Sequence, residues 1–232
     1  MKKNNKGKRV WFVCLKSILK IFIRKPKIKY LDEQIKPHSI ILSNHVGSVV
    51  PIKLELYANF PFRYWGTYEM NSELKSVYKY LANTYFYQKK HKSKKLSKFL
   101  AFLVAPFAHI FYKGLQLIST YKDARFKTTL KNSYKTIKNG YNLVIFPEDS
   151  SNGYFDNLKH FFSGFVVFAN YCLKRGLDLN VYTSYFVKTE NTYIVGKAIK
   201  FSELKQKFKN RNQIAEFMLN QANGLRSHFQ NR

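Results

Sequence analysis

Short runs of β-branched and aliphatic residues alternate along this chain with longer stretches whose apolar positions recur at helical spacing. The short runs at 39–42, 62–67, 115–118, 143–146, 180–187 and 192–195 predict strands. Between them, 72–80, 99–112, 123–138 and 161–174 predict helices, and 202–229 a polar helical tail. Residues 46–50 predict a turn feeding a further helix, with Pro51 suited to its first turn. Gly140 marks the end of the 123–138 helix. The run 143–146 is short and wholly apolar, as strands buried inside parallel sheets are. Strands alternating with helices predict an α/β fold: a single domain with a largely parallel sheet flanked by helices.

The N-terminal segment departs from this pattern. Residues 10–23 are apolar but interrupted by Lys16 and Lys20. Arg9, Lys16, Lys20 and Arg24 fall on one helical face, while Trp11, Phe12, Leu15, Leu19, Phe22 and Ile23 cover the others. That pattern predicts an amphipathic helix lying in a membrane interface with its cations toward lipid headgroups; the plainer alternative is a surface helix packed on the domain. Pro26 stops it. The expected division is therefore 1–27, a basic membrane-surface helix, and 28–232, the α/β domain. Residues 99–112, broken by Pro106 and His109, fit either a core helix or a segment dipping into one leaflet. Six lysines between 89 and 98 precede it and favour contact with anionic lipid. No uninterrupted apolar run reaches the ~18–20 residues of a membrane span, and no signal-peptide pattern is evident.

Charge sharpens the choice of partner. Lys and Arg number 41 against 13 acidic residues, a formal net charge of +28. Abundant Asn, Ile, Tyr and Phe point to a nucleotide bias behind part of the lysine excess, but not behind the shortage of acids. The field favours an anionic bilayer, a polyanionic substrate or nucleic acid. Nucleic acid is the weakest of these, because the cations flank apolar segments and no zinc-finger spacing, RNP block or glycine-rich phosphate loop is present. Cys14 and Cys172 offer no disulfide framework and fit a reducing compartment. The expected location is the cytoplasmic face of the cell membrane, peripheral or monotopic.

Two strand ends carry polar clusters: Ser43-Asn44-His45, and Pro147-Glu148-Asp149-Ser150-Ser151. Open α/β sheets build their sites at such ends. A histidine there, neutral near pH 7, suits a general base that takes a proton from an attacking hydroxyl. Asn44-His45 followed about a hundred residues later by Phe146-Pro147-Glu148 resembles the glycerol-3-phosphate and lysophospholipid acyltransferase family. The matching blocks read NHVGSVV, GLQLIST from Gly114, IFPEDSSNG, and a late strand VYTSYFV from Val181.

The resemblance implies direct transfer of a fatty acyl group from acyl-CoA or acyl-ACP to a lysophospholipid-like acceptor. His45 would be the base, and Asn44, Gly114, Pro147, Glu148, Ser150, Ser151 and Gly153 the substrate-binding positions. It implies no metal and no bound cofactor. The chain departs from the family in three places. The aspartate expected five positions after the histidine is Val50, and the arginines expected in the middle block and after FPEG are Thr120 and Ser151. Glu55 cannot replace the aspartate, since ten helical residues rise ~15 Å. Asp149 stands where the family has glycine and is the expected replacement partner for His45. Lys113, Lys122 and Arg125 are the candidates to replace the arginines. An inactive lipid-binding relative of the same fold is the alternative that Val50, Thr120 and Ser151 support.

Overall fold

Alternation along the strands decides how the layers assemble. Ile40, Leu42, Leu143, Ile145, Val181 and Tyr185 enter one apolar cluster. Ile41, Val144, Tyr182 and Phe186, offset by one residue, enter another. Successive strand side chains point to opposite faces, so a sheet apolar at both parities must be covered on both sides.

A computed structural model describes residues 5–150 and 153–230, with side chains described to 227. Among these, eight strands form one mixed, mostly parallel sheet. They are β1 (Lys27–Tyr30), β2 (Ser39–Ser43), β3 (Phe62–Thr67), β4 (Ile118–Thr120), β5 (Asn142–Ile145), β6 (Asn180–Val187), β7 (Thr192–Val195) and β8 (Ile199–Lys200). The order is β1-β7-β6-β2-β5-β3-β4, with β8 beside β6. Strands β6, β2, β5, β3 and β4 run parallel, whereas β7 and β8 are antiparallel to β6. The α-helices are α1 (Val10–Phe22), α2 (Val49–Tyr57), α3 (Leu74–Lys79), α4 (Lys94–Leu115), α5 (Phe126–Lys138), α6 (Gly164–Leu173), α7 (Phe201–Lys207) and α8 (Arg211–Gln230). Helices α5 to α8 cover the first face of the sheet. The second is covered by α1, α2 and the end of α4. Helix α3, a π-helical segment Tyr80–Lys89 and α4 pack around Val77, Leu81, Ala101 and Ala105 as a third cluster.

The α/β expectation holds, and β3, β6 and β7 begin and end where the sequence pattern places them. The strand expected at 115–118 starts later, because α4 continues to Leu115 and Gln116 takes a left-handed conformation (φ 54°) before the chain straightens. The tail splits between α7 and α8, where the Asn210 side chain accepts from the Asn212 and Gln213 amides and starts a new helix.

The largest departure is in α1. Its Lys16 does not face outward: it is buried, and its Nζ donates to Glu55 Oε1 at 3.0 Å and to Asn5 Oδ1 at 2.7 Å. Lys8 joins the same carboxylate at 3.3 Å and donates to the Leu115 carbonyl at 2.7 Å, at the open C-terminal end of α4. Desolvation, only partly offset by Glu55, pulls the Lys8 pKa down to about 8. Phe12 completes the contact, lying over Gly114 so closely that a Cβ there would enter its ring. Lys16, read as lipid-facing, is instead part of an internal clamp with Lys8 on the buried carboxylate of α2.

Candidate functional site

The sheet order creates a crevice. From β2 the chain crosses to β3 by way of α2, on the second face; from β5 it crosses to β6 by way of α6, on the first. Neighbouring parallel strands whose connections leave in opposite directions open a gap at their carboxyl ends, the switch point where open α/β sheets place ligands. The turn after β2 carries Asn44 and His45; the turn after β5 carries Pro147 to Ser150.

Asn44 is a structural residue of that edge. Its Nδ2 donates to the Phe186 carbonyl at 3.1 Å and its Oδ1 accepts from the Phe186 amide at 2.7 Å. The side chain thus extends the β2–β6 ladder by one pair, fixing where the next residue begins. Pro147 is structural too: its carbonyl accepts from the Phe162 amide, while the Asp149 amide donates to His160 and Glu148 bridges Phe161. These pairs hold the second turn as a small antiparallel ribbon.

His45 and Glu148 tie the two turns together. The His45 backbone N–H donates to Glu148 Oε2 at 3.2 Å. Its ring lies between Phe146, 4.6 Å away between centroids, and Tyr154, stacked at 5.3 Å. The chain then turns sharply through two left-handed residues, Val46 (φ 43°) and Gly47 (φ 64°). A β-branched residue there carries strain on the order of 1–3 kcal/mol, a cost that clusters at functional turns.

The electrostatics keep the histidine neutral. Burial lowers its pKa first, Lys89 and Lys90 lower it further, and the backbone of Gly47 and of His45 itself counters only in part, leaving it at about 4. His45 Nδ1 is buried without a hydrogen-bond partner. The charge of Asp149 acts on Lys89. Val50, at the family's aspartate position, is packed into the second core cluster, and Glu55 is held by Lys8 and Lys16. Glu148 is pushed up by desolvation, against the pull of the His45 and Phe155 amides and of Lys89. Its Oε1 is buried and has no partner either. Two orphaned polar atoms on interlocked turns are exceptional in a folded interior, where such groups are nearly always paired.

A cation that sequence reasoning passed over completes the site. Lys89, the last residue of the π-helical segment, donates to Ser150 Oγ at 2.7 Å and lies over the Tyr154 ring at 5.8 Å. Lys90 lies over the Tyr85 and Tyr154 rings, and Gly47 sits beside Lys90 and Tyr85. Desolvation lowers the Lys89 pKa, Glu148 and Asp149 raise it, and Lys122 lowers it. Lys122 is thus the one proposed arginine substitute that reaches the site electrostatically. Arg125 is paired with Asp123, and Lys113 acts on His109 instead. Gly153 takes φ 104° in the same loop, beside the Lys89 carbonyl. Gly114 is not gathered here: it precedes β4, toward the amino edge of the sheet, under Phe12. Ser151 lies outside the described residues. The signal for Lys89 was only its place in a lysine-rich stretch that reads equally well as a solvated loop.

Among the described residues, no cluster of three or more His, Cys, Asp or Glu side chains could hold a metal ion. No known family model matches the sequence, and no curated protein does.

Proposed function

We propose that the chain is a membrane-associated O-acyltransferase, working at the cytoplasmic face and moving a fatty acyl group from a CoA or ACP thioester to the hydroxyl of a lysophospholipid-like acceptor. One observation carries the reading: a neutral histidine and a carboxylate, from the two turns that bear the family's motifs, are locked together at the switch crevice. In this reading the neutral imidazole takes the proton of the acceptor hydroxyl as its oxygen attacks the thioester carbonyl. The new C–O bond forms, the C–S bond breaks, and the imidazolium returns its proton to the departing thiolate. Glu148, held through Oε2 by the His45 amide, fixes the turn that aims the ring at that hydroxyl. Lys89, with Lys122 behind it, attracts an anionic headgroup and so serves where the family's arginines are missing.

A second reading, a lipid-binding relative without turnover, is favoured by the apolar Val50 and by a ring whose Nδ1 has no hydrogen-bond partner. In the serine-protease triad, loss of the carboxylate beside the histidine costs ~10⁴-fold in turnover. Thiol release from an acyl thioester separates the two. Release that requires a lysophospholipid, and that vanishes in His45→Ala, supports acyl transfer. Retained binding of the acceptor with release no faster than in His45→Ala supports the second reading.

A further inference from the structure

Helix α1 is arranged against the usual logic of a packed surface helix. Its inward face carries Phe12 and the clamped Lys16, while its outward face is apolar: Val10 is 80% exposed, and Ile21 and Phe22 are 78% exposed. Helix α4 repeats the pattern at Phe99, Phe102, Leu103, Phe107 and Ile110, with Phe102 70% and Phe107 77% exposed. The two helices meet where Phe12 packs edge-on against Phe111 at 5.5 Å and rests on Gly114 at the end of α4. Soluble chains rarely leave so large an apolar patch in water.

We propose that the outward faces of α1 and α4 form one surface that inserts into a single leaflet of an anionic bilayer, both helices lying along the membrane. This deepens the membrane part of the reading above and does not depend on turnover at His45. Charge selects a bilayer over a second copy. Arg9, Arg24 and Lys25 flank α1, and Lys92, Lys94, Lys95 and Lys98 gather at the start of α4, all exposed. Two chains of net charge +28 repel one another, whereas anionic headgroups neutralise cations at the rim of an apolar patch.

By length and composition alone α4 could cross a membrane. Its other face argues against it: Ser97, Ala101 and Ala105 are buried against α3 and the π-helical segment. Crossing would drag Lys75, Lys79, Lys89 and Lys90 on those elements into hydrocarbon. The Glu55 clamp makes the surface permanent, holding α1 in its inserting orientation before any lipid is met.

The test is partition of the full chain onto phosphatidylcholine vesicles with and without phosphatidylglycerol. Trp11 is the depth reporter, read by quenching with brominated lipids; Trp65, bonded to Ser133 in the domain, is the internal reference. Binding that needs phosphatidylglycerol, Trp11 quenching, and at least a roughly tenfold loss of partition in both Phe102→Asp/Phe107→Asp and Ile21→Asp/Phe22→Asp are expected. Unquenched Trp11, or variants with an unchanged circular dichroism spectrum that bind as wild type does, overturn the proposal. So does lipid-free dimerisation abolished by the same substitutions, which assigns the face to a second copy. Lys94→Cys and Lys113→Cys, each with Cys14→Ser, are both expected to react with an impermeant maleimide outside sealed vesicles. Protection of either one overturns the in-plane orientation. These readouts are binding and labelling, so an absence of acyl transfer leaves them unaffected.

Discussion

Glu55→Gln probes the hinge of the whole N-terminal arrangement. The substitution keeps the side-chain shape and an oxygen acceptor but removes the one charge facing two buried ammonium groups, at 3.0 and 3.3 Å. Breaking a buried ion pair costs roughly 3–5 kcal/mol, because the remaining ion stays desolvated. Escape by deprotonation sets a limit. Stripping a proton at pH 7 from a lysine of ordinary pKa ~10.4 costs about 4.6 kcal/mol, at ~1.36 kcal/mol for each tenfold change. Lys8, already brought down to about 8, gives its proton up far more cheaply. A loss of about 3 kcal/mol at neutral pH follows, a large share of the ~5–15 kcal/mol that holds a domain together.

The sign of its pH dependence is fixed as well. A lysine whose folded pKa lies below its unfolded value leaves the unfolded chain with more protons, so stability rises with pH through that interval. Urea unfolding at pH 7 and about pH 9.5 should therefore show the Glu55→Gln deficit shrinking. A deficit below ~1 kcal/mol, or one indifferent to pH, would refute the clamp. Replacing Lys8, Lys16 and Glu55 together by Met and Leu is expected to be nearly neutral, since apolar packing often matches a buried ion cluster.

Three further outcomes follow from named contacts. Gly114→Ala forces Phe12 aside and should cost ~1–3 kcal/mol in chemical denaturation. Asn44→Ala removes both bonds to Phe186 and should destabilise by about 2–3 kcal/mol while also lowering activity, because the turn bearing His45 loses its anchor. Lys89→Met should raise KM for an anionic acceptor about tenfold or more and leave a neutral acceptor nearly unchanged; equal effects on both would remove its headgroup role.

Much of this fold was legible because strand and turn chemistry agree. Strands β3, β6 and β7 are bounded by turn residues and carry the apolar alternation that a doubly covered sheet demands. The site was legible at its strand ends, where His45 and Glu148 do meet, but through a backbone amide that no motif announces. Periodicity misplaced Lys16, since it assigns a lysine to the outside unless a buried acid faces it. Only a lone Glu55 within the apolar stretch VVPIKLELY hinted at such a partner. The ribbon pairing His160 and Phe162 with the turn that carries Asp149 was not legible, because it joins residues in no motif. The π-helical segment escaped notice because its aromatics follow no amphipathic period, and Lys89 went with it.

The central proposal is that His45 works as a neutral base, and the pH dependence of kcat/KM for acyl transfer tests it most directly. Burial and the neighbouring lysines hold His45 at about 4, so the rate should stay level from neutrality down to the region of pH 4 and fall only below it. An acid limb near the ordinary histidine value of ~6.5, or above, would contradict the account, because burial and the lysines would then not be holding the ring neutral.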